Sequence, residues 1–247
     1  MRGILLAIWI LVPVLASAYH YGPGQQRLAL DDLQALLTAA RTHVEKGQHA
    51  RAEELFAEAL AKMPAGREAE TRRVRVERAK SLLLAEQLPK AYDELALLVP
   101  KLENDSQADP ALLADAREAL AGAKYYMTWL MRLEGDPRTE WEPEIEGARQ
   151  TYRLLAEEAR ARGDEPGAKK HEEDLEAAIR LARLDLSELQ ALPLPSQCQG
   201  CCSGQCQCKG GKGKGKSKGA GKTPEKKQGD EAARGASSGP PPDDGGS

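Results

Sequence analysis

The feature that most constrains this chain is an apolar residue at every third or fourth position along most of its length. Leucine and alanine supply most of these positions, while only 4% of the residues are aromatic and a single Phe is present. This composition suits packing of helix against helix and is poor in the β-branched and aromatic residues that strands favour. The pattern therefore predicts an all-α fold without a credible strand.

Seven amphipathic helices are predicted within residues 28–190. The acidic pair Asp31 and Asp32 is expected to start the first helix, and Gly47 is expected to end it. Because the link at Gly47 is so short, the first two helices must be antiparallel neighbours. The remaining predicted spans are 48–62, 67–86, 88–102, 110–134, 140–162 and 165–190.

Apolar stripes indicate which side of each helix faces the core. On the last helix, His171 and Asp174 fall outside the stripe and are assigned to a solvated acidic face. The stripe of the fifth helix contains Leu113, Ala116, Leu120, Ala123, Met127 and Leu130. The stripe of the last helix contains Ala168, Leu175, Ile179, Ala182 and Leu186.

The N-terminal 18 residues have the pattern of a signal peptide. Arg2 precedes an apolar run over residues 3–15, and Ala16-Ser17-Ala18 is a small-residue cleavage site. An uncleaved N-terminal membrane anchor is the alternative, although the run is short for a bilayer core of about 30 Å. The sequence thus predicts export to the periplasm, cell envelope or extracellular space, with residues 19–27 as a linker.

Small residues and one aromatic recur at fixed intervals in the first helix pair. They are Leu36, Ala39, Ala40, Gly47, Ala52, Phe56, Ala59 and Pro64. In this spacing the pair resembles a tetratricopeptide repeat (TPR), best over residues 33–66. A partial second copy comprises Tyr152, Leu155, Ala156, Ala159, Gly163 and Ala168, with Glu172 in place of the aromatic.

This resemblance implies stacked helix pairs, as a short TPR-like solenoid with divergent units. An irregular helical bundle is the alternative, because Ala91 lies 39 residues after Ala52 where a TPR has about 34. Solenoids of this kind bind partners in the groove made by their first helices. An unknown protein partner is therefore expected to contact Arg72, Arg75, Arg78, Tyr125, Tyr126 and Trp129, although Trp129 equally suits a core position.

Residues 191–247 are predicted to be a disordered tail, which begins with a dense cysteine cluster. Its spacing is C-x2-C-C-x3-C-x-C, and the chain has no other cysteine. Three interpretations stay open: thiolate ligands for Cu(I) or Zn(II), disulfides in an oxidising compartment, or low-complexity sequence without a partner. The candidate metal ligands are Cys198, Cys201, Cys202, Cys206 and Cys208.

A run rich in glycine and lysine follows, with eight Lys and one Glu between Lys209 and Lys227. Its charge would attract an anionic polymer or lipid without specific recognition of nucleic acid. Residues 210–217 match the phosphate-loop pattern, but neither a strand nor a helix flanks them, so the match is compositional. The candidate polyanion contacts are Lys209, Lys212, Lys214, Lys216, Lys218 and Lys222.

Nothing in the chain has the spacing of a catalytic or cofactor site. The four histidines lack an HExxH arrangement, and the glutamates at 140, 142, 144 and 146 are interpreted as acidic capping at a helix start. The leading hypothesis is therefore a non-enzymatic, exported protein-interaction scaffold with a flexible basic tail and no cofactor. The alternative hypothesis is soft-metal binding or thiol-linked attachment through the cysteine cluster.

Overall fold

The computed structural model describes residues 25–199, together with Trp9, Leu11 and Val12 in the N-terminal segment. Between residues 25 and 199 the chain forms nine helices and no strand, which confirms the all-α prediction. In chain order they are α1 (Gln25–Glu45), α2 (His49–Ala61), α3 (Glu68–Leu84), α4 (Leu88–Glu103), α5 (Pro110–Glu134), α6 (Arg138–Ala161), α7 (Glu165–Arg183), α8 (Leu186–Ala191) and α9 (Ser196–Gln199). None of these described helices has the length and apolar character needed to cross a membrane.

The described chain divides into two compact units, of which the first ends at Val74 and the second begins at Arg75. The first unit contains α1, α2 and the start of α3. Its core forms where α1 packs against α2, with small alanines between larger side chains. The buried residues of this core are Leu33, Leu37, Ala40, Ala52, Leu55, Phe56, Ala59 and Val74.

The second unit is built around α5, which packs against both α4 and α6. A helix that is apolar on most of its sides has to be covered on most of its sides. The predicted stripe of α5 was too narrow, because Tyr125, Tyr126 and Trp129 lie in the core with at most 3% of their surface exposed. The prediction that Tyr125 and Tyr126 contact a partner is therefore wrong, whereas Trp129 takes the core position that was its alternative. Tyr125 packs edge-on against Tyr126 at 5.1 Å between ring centroids, and Trp129 lies 6.1 Å from Tyr125.

Three helix pairs share the same three-residue turn. Its middle residue has a positive φ angle, of 69° at Gly47, 59° at Glu86 and 76° at Gly163. In each turn the next N–H donates back to a carbonyl of the preceding helix, as Gln48 does to His43 at 2.8 Å. In the second of these turns, Glu86 stands where a glycine usually marks the end of a helix. The sequence therefore carried no glycine signal there, and the predicted end at residue 86 lies beyond the observed end of α3 at Leu84.

The ends of the helical body differ from the predicted ones. α1 already begins at Gln25, so Asp31 lies inside the helix and is not its N-cap. Good helix formers such as Leu, Ala, Gln and Arg precede Asp31, and they let the helix extend toward the N-terminus. At the other end, Leu189 and Cys198 are fully buried against the core, so the body extends to Gln199 and not to residue 190.

Arg132, in the last turn of α5, connects three helices of the second unit. Its guanidinium donates hydrogen bonds to the carbonyls of Leu181 and Leu184, at the C-terminal end of α7. The same group lies 4.8 Å from the ring centroid of Trp141 in α6. These carbonyls have no partner within their own helix, and a cation there also opposes the negative end of the helix dipole.

We predict that Arg132→Met lowers the free energy of unfolding by about 2 kcal/mol, because hydrogen bonds to a charged donor are lost while the apolar stem stays. Chemical denaturation followed by tryptophan fluorescence measures this change. Arg138→Met is the matched control, since Arg138 is exposed and its ion pair with Glu142 lies within α6. Equal effects of the two substitutions would contradict the connecting role of Arg132.

Candidate functional site

A cleft of about 340 Å³ opens in the first unit, between α1 and the first turns of α3. Its floor includes Leu37 and Val74, which are buried core residues. Ala69 is exposed at the edge of the cleft and presents only a methyl group. The polar lining consists of Gln34, Arg41, Arg67, Glu70 and Arg73.

Positive charge predominates in this lining, which has three arginines and one glutamate. Arg67 Nε lies 2.8 Å from Glu70 Oε2, and both side chains are partly exposed, so this ion pair is weak and exchangeable. The planar guanidinium presents a fork of N–H donors that matches the two oxygens of a carboxylate. The arrangement can therefore bind an anionic group without any covalent chemistry.

The arginines predicted for a groove do not line this cleft. Arg72 and Arg75 follow Glu70 on α3, and Arg78 donates to Glu94 Oε2 on α4 at 3.1 Å within the second unit. The lining arginines instead include Arg41 from α1, which sequence reasoning passed over. No local signal identifies it, because its place in the cleft depends on how α1 lies beside α3.

The inward face of α7 also differs from its predicted stripe. Its buried residues are Ala168, His171, Asp174, Ala178 and Leu181, whereas Leu186 is 44% exposed. His171 and Asp174 therefore lie inside the second unit, and their assignment to a solvated face is wrong. Charged residues dominate the first half of α7, so few apolar positions fixed the phase of the stripe.

His171 approaches a charged pair that joins α5 and α7. Lys170 Nζ lies 2.5 Å from Glu118 Oε1, and His171 Nε2 lies 4.0 Å from the other oxygen of Glu118. Burial lowers the pKa of His171, an effect that Glu118 opposes and Lys170 reinforces. Burial likewise raises the pKa of Tyr152 on α6, with a further contribution from the negative charge of Asp174.

A second polar group connects α4, α5 and α6. Lys124 Nζ lies 3.4 Å from Glu144 Oε2, and burial together with a hydrogen bond to Glu144 raises the pKa of Tyr92 to about 12. The interpretation of residues 140–146 as helix capping thus holds only for Glu140, the acidic residue of the first turn of α6. Glu142 pairs with Arg138 at 2.5 Å, and Glu144 turns inward.

Neither polar group has the composition of a metal centre. Within residues 25–199, three or more His, Cys, Asp or Glu side chains nowhere come together as ligands for an ion. The predicted thiolate cluster lies mostly outside the described residues, which include only Cys198 of its five cysteines. The lysines predicted to contact polyanions, from Lys209 to Lys222, also lie outside them.

Cys198 belongs to the core of the second unit. It is fully buried in α9, and its Sγ lies 3.8 Å from the carbonyl oxygen of Tyr126 on α5. Leu192 and Leu194 pack against the same core and lead the chain to this position. The first cysteine of the cluster is therefore held by the helical body.

We predict that Cys198 reacts with a thiol reagent at least about tenfold more slowly in the folded chain than after denaturation, because a buried thiol reacts only when the structure opens locally. Stopped-flow measurement with an aromatic disulfide resolves this slow phase. The phase should disappear in Cys198→Ser and persist in Cys206→Ser. A slow phase that survives in Cys198→Ser would contradict the burial of this thiol.

The resemblance to tetratricopeptide repeats rests on the spacing of residues in this sequence. Ala40, Ala52, Phe56 and Ala59 are buried between α1 and α2, as their repeat-like spacing requires. No protein-family model, curated protein or solved structure matches the chain. The TPR assignment therefore stays a prediction.

Proposed function

We propose that this chain is a non-enzymatic, exported interaction scaffold made of TPR-like helix pairs, which binds an acidic segment of a partner protein. The observation that carries the proposal is the arginine-lined cleft between α1 and the start of α3. These two helices are the first members of successive helix pairs. In stacked-pair proteins, such helices form the binding groove.

The shared turn supports the repeat-like part of the proposal. The N–H of Ala52, Ala91 and Ala168 donates to the carbonyl four residues earlier, at 2.9 to 3.1 Å, and all three alanines are buried. Each alanine occupies the same position relative to the turn before it. A buried alanine thus recurs at the same position after three turns, as a repeat architecture would have it.

The chemistry of the cleft supports an acidic ligand. A carboxylate side chain can take the place of Glu70 beside Arg67, and charge-assisted bonds to guanidinium groups are stronger than neutral ones. Because Ala69 projects only a methyl group, the main chain of a peptide has room to pass near α3. Binding by this mechanism should weaken as salt rises, since the lining is partly exposed.

Export and a basic tail complete the proposal. The signal-like pattern of residues 1–18 supports a scaffold outside the cytoplasm, and the lysines between Lys209 and Lys222 give it a basic tail. The lysine run would hold the scaffold to an anionic polymer or lipid, with affinity that falls as salt rises. The cleft would select the partner protein, and the tail would hold the scaffold at an anionic surface.

We predict that Ala69→Trp, which fills the cleft, reduces capture of the partner by at least about tenfold, a loss of about 1.4 kcal/mol in binding. The chain from Tyr19 onward serves as bait, and the captured proteins are quantified by mass spectrometry. Ala50→Trp is the matched control, because Ala50 is exposed on α2 and does not line the cleft.

A protein lost with Ala69→Trp but kept with Ala50→Trp identifies the ligand of the cleft. Capture that is absent at low salt, or equal for the two variants, would contradict the proposed function. Addition of a polyglutamate peptide should compete with the captured protein, whereas a polylysine peptide should not.

The second candidate function is soft-metal binding, which the five cysteines within eleven residues favour. Since Cys198 is buried, we predict that four thiols of the folded chain take up Cu(I). Anaerobic titration should then give the same stoichiometry for the unsubstituted chain and for Cys198→Ser, and a lower one for Cys206→Ser. Affinity equal to that of separate thiols would exclude this function.

A further inference from the structure

His171 and Asp174 differ from the other buried polar residues of the described chain. Four polar or charged side chains are buried there, and the other two are Ser81 and Thr128. Each of these hydroxyl groups donates to a carbonyl of its own helix, at 3.0 Å and 2.9 Å. Only His171 and Asp174 can change their charge as the solution is acidified.

The imidazole of His171 is incompletely satisfied inside the protein. Its Nδ1 atom is buried and makes no hydrogen bond to the described chain. The carboxylate nearest to its Nε2 atom is that of Glu118, whose other oxygen already accepts a short hydrogen bond from Lys170. A buried nitrogen without a hydrogen-bond partner is unfavourable, so this position destabilises the packed state even when the ring is neutral.

Charged groups on the neighbouring helices and in the turn before α7 determine how favourable a proton on His171 is. Glu118 on α5 attracts it, while Lys170 on α7 repels it. The phenol of Tyr152 on α6 stays neutral in the acidic range. Between α6 and α7, Asp164 attracts the proton and Arg162 repels it. One turn further along α7, the carboxyl group of Asp174 is buried as well.

We infer that protonation of His171 loosens the packing of α7 against α5 and α6, so that mild acid opens the second unit. The ring cannot be hydrated while α7 stays packed, and Lys170 already pairs with Glu118, the carboxylate beside Nε2 of the ring. Movement of α7 away from the core gives both nitrogens access to water. The protonated ring therefore favours the loosened state over the packed one.

The direction of the pH dependence follows from the lowered pKa of His171 in the packed state. Below its ordinary pKa of about 6.5, the loosened chain binds more protons than the packed chain. Stability therefore falls as the pH decreases through 6.5 and down to the lower pKa of the packed state. Ordinary carboxyl groups titrate near pH 4, so the range between about pH 7.5 and 5.5 reports on histidines. Burial also lowers the pKa of His49, but that residue lies in the first unit, whereas Trp129 and Trp141 lie in the second.

The test uses the full chain with Trp9→Phe, so that Trp129 and Trp141 of the second unit provide the fluorescence. We expect the urea midpoint to fall between pH 7.5 and 5.5, and most of this fall to disappear in His171→Gln. His43→Gln is the matched control, since His43 lies in the first unit and forms a hydrogen bond with Gln48. An equal fall in His171→Gln and in the unsubstituted chain would overturn the inference.

A direct titration keeps the inference testable if His171→Gln does not fold. Proton–carbon NMR spectra of the chain labelled at histidine follow each ring, and Lys170→Gln at the neighbouring position helps assign the His171 signal. A pKa for His171 below 6.5, with loss of Trp129 burial over the same pH range, supports the device. A pKa at or above 6.5 would overturn it.

Discussion

Close approach between helices is the constraint on which the rest of this structure depends. Ala52, Ala91 and Ala168 are buried near the start of the second helix of their pairs, where a small side chain permits close packing. The three-residue turn before each alanine reverses the direction of the chain, so the two helices that it joins are antiparallel neighbours. A larger side chain at these positions would push the helices apart, since a packed core tolerates added volume poorly.

The second unit adds a different solution to the same packing problem. α5 is covered on most of its sides, so it can place tyrosine and tryptophan rings where an amphipathic helix would expose polar residues. Arg132 then joins the end of this helix to the end of α7 by charged hydrogen bonds. Many other ion pairs lie on exposed surfaces, where they contribute little to stability. The specificity of the packing therefore comes from a few buried contacts.

The cleft of the first unit and the buried cluster of the second use charge in opposite ways. In the cleft, the arginines keep access to water, so their charge remains solvated. In the cluster, the charge on His171 depends on pH and is unfavourable while the ring is buried. The first arrangement suits reversible binding of an anionic segment. The second suits a response to acid, and neither arrangement requires a cofactor.

The sequence by itself determined the first six helices and where most of them end, whereas the predicted helix 165–190 is divided into α7 and α8. Leucine and alanine at intervals of three and four, with glycine at Gly47 and Gly163, are local signals. They predict helices and turns well because these elements form by hydrogen bonds between residues that are close in the chain. The end of α3 at Leu84 escaped prediction because Glu86 takes the turn conformation that glycine usually supplies.

Only the tertiary structure decided which sides of α5 and α7 face inward, because burial depends on how many neighbours a helix acquires. It also brought Arg41 to the cleft and Cys198 to the core, across separations in the chain that no local pattern records.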